Sequence, residues 1–429
     1  MPSFDLVALL LLIAAAAGFL NNRILHMPRA IGLLVIALAL SVFILLLDHL
    51  TGSGIQVRRW ISGVLQVADL PYVLFNGALG FLLFAGALHV KLEALRNHAW
   101  TVLTLATVGV VLATFLYAAG AWEMFHLAGA DVPMTWCVVL GAILAPTDPI
   151  AITGLLQEIG LPKGLLAVIT GESLFNDGVA VVVFIVALGV AEGGQRVSAV
   201  SIATDFLREG VGGAVLGLMT GWIAYRAMRA IDDYQLEIII SLALVTVTYA
   251  AANRIGASGP IASVVAGLFI GNRATRYAMS DITRTNLLLF WSVIDEILNT
   301  LLFLLIGLEL LTIETKHFWP ALIGGGVVLA VLVRFVSASI PAVLLNVRRL
   351  HHVRNLTILT WGGLRGGISV ALSLALPASP FRDLLLQIVY AVAIFTIIGQ
   401  GLTMAPLIRR LFADQKSRGK RQLEAVSDS

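Results

Sequence analysis

Apolar runs recur along this chain, and all but one of the thirteen are at least 17 residues long. They lie at about 4–20, 30–47, 70–89, 99–120, 134–158, 164–190, 204–228, 234–252, 259–271, 285–312, 318–345, 355–376 and 384–408, each bounded by charge, Gly, Pro or Asn. Runs of that length are what helices need to cross the hydrocarbon core of a bilayer. A membrane β-barrel would show short alternating segments with a polar lumen set instead. Only 12% of the residues are charged, about half the share of a soluble domain, so polar surface is too scarce to cover a water-soluble core. The sequence predicts an all-α polytopic membrane protein with about 13 transmembrane helices. An ordinary cytosolic enzyme, a disordered protein and a secreted disulfide scaffold are excluded. The single cysteine, Cys137, permits no internal disulfide.

The placement of charge sets the expected orientation. Nineteen lysines and arginines follow odd-numbered runs or lie in the tail, and seven lie on the opposite side. Cytoplasmic loops carry such an excess, so the N-terminus is expected outside and the C-terminus in the cytoplasm. Met1-Pro-Ser-Phe-Asp5 lacks the basic start of a cleaved signal peptide, so the first run is expected to be retained. The net charge of +3 is thereby topological, and nucleic acid is not an expected partner. Residues 1–411 read as one membrane domain, and 412–429 as a short, basic, disordered cytoplasmic tail. Ile55–Ala68 has apolar positions at helical spacing and reads either as a helix lying on the outer surface or as a structured loop.

Three runs carry charge at their centres, where it is costly and marks function by default. The fifth contains Ala145-Pro-Thr-Asp-Pro149. Pro146 and Pro149 each remove a backbone donor, so the helix should unwind there and free the Thr147 carbonyl and the Asp148 carboxylate. The twelfth contains Gly362-Gly-Leu-Arg-Gly-Gly367. Its four glycines weaken a helix by about 1 kcal/mol each, and close packing of small residues explains them but not Arg365. These runs are seven apart, an odd number, so corresponding helices of two repeats would run in opposite directions. Inverted repeats with two interrupted helices crossing at the midplane are therefore expected, the pattern that marks a secondary transporter's binding site.

The sixth run contains Gly171-Glu-Ser-Leu-Phe-Asn-Asp-Gly178. Ser173 and Asp177 are four residues apart and share a helix face; Glu172 and Asn176 share another, rotated by about 100°. Glu172 is expected to pair with Arg365, since Arg334 is the only other basic residue at that depth. Asp177 is then a buried carboxylate without a committed cation. It is stable when protonated or when it holds a small cation. Oxygens from Asp177, Asp148, Ser173 and the Thr147 carbonyl suit a hard monovalent cation. A site that takes H⁺ or a cation, but not both, is the minimal machinery of exchange.

Thr147-Asp148-Pro149 followed by Gly171-Glu-Ser-Leu-Phe-Asn-Asp-Gly178 resembles the sodium/proton exchangers of the first monovalent cation:proton antiporter family, bacterial type. Leu82-Leu-Phe-Ala-Gly-Ala-Leu88, Leu305-Ile-Gly-Leu-Glu-Leu310, Thr360-Trp-Gly-Gly-Leu-Arg-Gly-Gly367 and Gln400-Gly-Leu-Thr403 extend the resemblance over the membrane part. It implies a homodimer in the cell inner membrane and alternating access, in which the domain bearing the ion site moves against a scaffold. It implies Asp177 as the exchanging carboxylate, with Asp148, Ser173 and the Thr147 backbone completing coordination. It implies that Asn176 supports the site and that Glu172 pairs with Arg365. In electrogenic relatives Asp often replaces Asn176, so electroneutral, one-for-one exchange of Na⁺, K⁺ or Li⁺ for H⁺ is expected, without a cofactor. Some members carry an acidic residue in the third helix where this chain has Ala85.

Two other function classes fit parts of the pattern. An intramembrane aspartyl hydrolase would use Asp148 and Asp177 as a dyad, but leaves Glu172, Arg365 and the paired helix breaks without a role. A cation channel would have no need of a carboxylate that must be protonated or occupied. Asp295, Glu296, Asn299 and Arg334 read as a structural ion-pair set before a transport one. The eight histidines lie in loops or at run ends, which argues against a metal site or a histidine relay. His351-His352 reads as part of a basic loop before a pH sensor.

Overall fold

A computed structural model describes residues 2–51, 77–148, 156, 163–193, 199–309, 311, 320–344 and 353–411. Among the described residues the chain is helical and has no strand. In chain order the helices are α1 Pro2–Leu20, α2 Arg29–Thr51, α3 Leu79–Leu88, α4 Ala99–Leu127, α5 Met134–Leu144, α6 Lys163–Ala191 and α7 Ala199–Met228. There follow α8 Tyr234–Ile255, α9 Gly259–Phe269, α10 Asp281–Glu309, α11 Pro320–Leu344, α12 Val353–Trp361, α13 Gly367–Leu374 and α14 Arg382–Leu411. Eight helices among the described residues are long and apolar enough to cross a membrane. The polytopic all-α class is therefore as the sequence predicts. The number thirteen remains a sequence expectation, because α3 and α5 are short and the twelfth run is two pieces. Ile55–Ala68, the second half of the fifth run, His351-His352 and the tail lie outside the described residues.

Local chemistry accounts for several boundaries. Asp233 caps α8 by accepting from the amides of Gln235 at 2.9 Å and Leu236 at 3.3 Å, and Gly256 ends that helix at φ 68°. Ser258 caps α9, with Pro260 in the first turn where no amide partner is missed. Gly267 and Gly271, four residues apart, bring the α9 segment against the α3 backbone. A Cβ at Gly271 would lie 2.2 Å from the Leu88 carbonyl oxygen, so only glycine permits this approach.

The apolar interior has two main parts. The larger joins α4, α5, α6 and α11 to α12–α14. The smaller joins α3, α7, α8, α9 and α10 around Trp291, whose indole donates to Ser241 Oγ at 2.9 Å. The cavity described next lies where α3 and α10 face α5, α6 and α13.

Candidate ion-binding site

Two helix breaks meet here. α5 stops at Leu144 and the chain is non-helical from residues 145 to 148. In a continuous helix the Ala145 carbonyl would accept from the amide of residue 149, which is proline and has none. Arg365 replaces that donor: its Nη1 reaches the Ala145 oxygen at 2.7 Å and the Pro146 oxygen at 2.8 Å. A cation is thus placed on the C-terminal carbonyls of α5, where the helix dipole favours it. In the other run α12 ends at Trp361 and α13 begins at Gly367. Across the crossing the Asp148 amide donates to the Leu364 carbonyl at 2.8 Å. The Arg365 amide donates to Thr396 Oγ1 of α14 at 3.0 Å. Each break thereby satisfies backbone groups that the other exposes. Gly366 is required at the contact, since a Cβ there would lie 2.1 Å from Asp148 Oδ2.

Asp177 is the central residue of α6. With Thr170, Ser173 and Leu174 it lines a cavity of about 240 Å³, and Asp148 enters the same cavity from the α5 break. Asp148, Ser173 and Asp177 are all buried, and Asp177 Oδ1 has no hydrogen-bond partner. The second face of α6 points away, as its 100° offset requires. Asn176 Nδ2 donates to Thr147 Oγ1 at 2.9 Å and to the Thr147 carbonyl at 3.5 Å. Glu172 receives both terminal nitrogens of Arg334 from α11, the second at 3.0 Å.

That last contact corrects the sequence reading, in which Glu172 pairs with Arg365. Glu172 and Arg334 form the ion pair, and both are buried. Arg365 is instead engaged by the carbonyls that the fifth run's own prolines set free. The expected grouping of Asp295, Glu296, Asn299 and Arg334 also divides. Arg334 serves Glu172. Glu296 meets Arg29 at 3.1 Å. Asp295 and Asn299 line the same cavity as Asp148 and Asp177. Their spacing of four residues was the available signal, the same spacing that sets Ser173 and Asp177 on one face.

Thr147 is not in the cavity wall. It lies instead with Glu172 and Arg334 beside a much smaller void. Ala85 is buried in the smaller apolar cluster, and α3 presents Leu82, Leu83 and Gly86 to the cavity. The third helix therefore contributes no side-chain oxygen from these positions. Among the described residues no three His, Cys, Asp or Glu side chains are grouped as a metal centre would need.

Known proteins share both the sequence and this architecture. Residues 8–410 match the family described as sodium/hydrogen exchanger, transmembrane. The chain is 43% identical over 425 residues to the Na(+)/H(+) antiporter NhaP of Pseudomonas aeruginosa, covering 97% of this chain and 99% of that one. It is 32% identical over 418 residues to the Na(+)/H(+) antiporter NhaH of Halobacillus dabanensis, covering 94% and 97%. The solved structure of the sodium proton antiporter MjNhaP1 from Methanocaldococcus jannaschii, at pH 8, has the same fold. Its TM-score is 0.74 at 19% identity, over 96% of this chain and 99% of that one. With a family match across nearly its whole length, the chain is a secondary transporter rather than an enzyme and belongs to the transmembrane sodium/hydrogen exchanger family.

Proposed function

We propose that this chain exchanges Na⁺ for H⁺ across the cell inner membrane, with Li⁺ and K⁺ as the competing cations, and that Asp177 carries whichever ion is moved. The observation behind this reading is the separation of charges around α6. The Glu172 carboxylate is neutralised by Arg334 on one face. On the other, Asp177 shares a cavity with Asp148 and Ser173, and no arginine or lysine lies within ion-pair distance of Asp177 among the described residues. A second carboxylate beside Asp177 favours a bound cation or a shared proton over two bare charges. Oxygen donors of this kind suit hard cations. Asp148 and Ser173 complete the cation's shell with Asp177. Thr147 adds its carbonyl when the site closes on the ion; its bond to Asn176 is already long at 3.5 Å. Asn176 and Arg365 hold the broken backbone in place around these ligands.

One carboxylate alternating between H⁺ and Na⁺ moves no net charge per cycle, so exchange is one for one and electroneutral. Orientation follows the loop charges, with the N-terminus outside and the tail in the cytoplasm. The working unit is a homodimer, as the resemblance implies, and the transported ions with the bilayer are the partners that the site requires. Purified protein in proteoliposomes with a trapped pH dye tests the reading. Addition of Na⁺ outside Na⁺-free vesicles should alkalinise the lumen, as each Na⁺ entering releases one H⁺, at a rate unchanged when the membrane potential is clamped. Current without a proton gradient would favour a channel, and silence toward Na⁺, Li⁺ and K⁺ alike would overturn exchange.

A further inference from the structure

We propose that Asp295 and Asn299 of α10 form a second cation station, on the cavity wall across from Asp177, through which the ion passes before it reaches the exchanging carboxylate. The inference rests on the exchange reading and extends it to the opposite side of the cavity. Asp295 and Asn299 line the same space as Asp148, Ser173 and Asp177. They belong to α10, whereas the proposed exchange ligands belong to α6 and the α5 break. Asn299 Nδ2 donates to the Asp295 Oδ1 at 3.1 Å and to the Asp295 carbonyl at 3.0 Å. Those bonds engage only the Asn299 Nδ2, so the Asn299 Oδ1 and the second Asp295 oxygen are the acceptors this pair can offer, oxygens of the kind a hard cation takes.

The neighbours of Asp295 leave its charge available. Glu296, the next residue, meets Arg29 in a separate cavity between α10 and the α1–α2 turn. Among the described residues no lysine or arginine lies within ion-pair distance of Asp295. The nearest titratable base is His89 at the end of α3. Its Nδ1 faces the Ala85 carbonyl at 2.8 Å, and its Nε2 faces Ser292 Oγ at 3.0 Å. The independent sign of a ligand in this cavity is Asp177, which is 6% exposed and has an unpartnered Oδ1. At about 240 Å³ the cavity has room for several waters. A cation held at Asp295 can therefore keep part of its hydration shell, which it sheds only on reaching Asp177. A carboxylate on the wall also raises the local cation concentration, an effect that salt screens.

Initial-rate Na⁺/H⁺ exchange in proteoliposomes decides the matter, with wild type, Asp295→Asn, Asp295→Glu and Glu296→Gln compared. In Asp295→Asn the KM for Na⁺ should rise roughly three- to tenfold with maximal rate retained. KM should still rise as pH falls, because competition with H⁺ at Asp177 persists in this variant. Asp295→Glu should return KM toward wild type, and Glu296→Gln, one residue away on another face, should leave it alone. In wild type, an impermeant choline salt should raise KM, and in Asp295→Asn it should do so less. An unchanged KM in Asp295→Asn overturns the station, as does a fall in maximal rate alone. If Asp295→Asn does not assemble, Asn299→Ala stands in, and an unchanged KM there is equally fatal. A wild type that moves no protons on a Na⁺ gradient defeats the exchange reading first, and so is distinguishable.

Discussion

Asp177 and Glu172 are five residues apart on one helix, yet they face different electrostatic situations. Glu172 is held by two nitrogens of a buried arginine. Asp177 keeps an oxygen without a partner. Their amide variants should accordingly fail in different ways. Asp177→Asn keeps shape and removes only the ability to release a proton. It should assemble at wild-type yield and show no exchange in the dye assay; robust exchange would take Asp177 out of the mechanism. Glu172→Gln leaves Arg334 buried without an anion, a loss of about 3–5 kcal/mol. A lower melting temperature in detergent should report it, and adding Arg334→Gln should restore part of the loss. Pairing Glu172→Gln with Arg365→Gln should restore none, because Arg365 serves the Ala145 and Pro146 carbonyls. The reason the sequence points to the wrong arginine is geometric. Run midpoints give depth along the membrane normal, and Arg334 and Arg365 are both deep. They do not give azimuth, which decides the side of α6 that each arginine reaches.

At the scale of elements, the crossing depends on how closely two unwound segments approach. Gly366 starts α13 in extended backbone, at φ −98° and ψ −156°, against the Asp148 carboxylate. Gly366→Ala should push that carboxylate aside or part the two segments. Its maximal exchange rate should fall at least tenfold, while Gly324→Ala in α11, where an added Cβ meets nothing within 4 Å, should keep full activity. Exchange rates of the two variants at matched protein density make the comparison, and equal activity would deny Gly366 its role. Much at this scale is legible in the sequence. Pro146, Pro149 and the paired glycines mark both breaks, and the four-residue spacings on α6 assign its faces. Less legible is what lies across from those faces. Nothing in Asp295 or Asn299 says which helices α10 meets, so their place in the cavity awaits the packing of α10 against α3 and α13. Thr147 is a similar case: its freed carbonyl is foreseeable, but its turn toward Asn176 is not.

For the molecule as a whole, the proposed single site serving two ions makes pH a competitive variable. As pH falls, protons occupy Asp177 and the KM for Na⁺ should rise, by roughly tenfold per pH unit below the site's titration midpoint, and level off above it. Transport at fixed Na⁺ should then fail at low pH from proton occupancy and at high pH from lack of protons, giving a bell. Measuring KM from about pH 5 to 9 checks this, and a flat line would exclude competition at a single carboxylate. The family resemblance carried by the short motifs is borne out over residues 8–410. The buried Glu172–Arg334 pair has a further consequence, one of timing. The partners are 162 residues apart, so a ribosome adding about 5–20 residues per second reaches Arg334 roughly 8–30 s after Glu172. Throughout that interval α6 carries Glu172 without the one arginine that later pairs with it. Final docking of α6 must wait for α11, so this transporter completes its buried ion pair late, from helices made in separate halves of the chain.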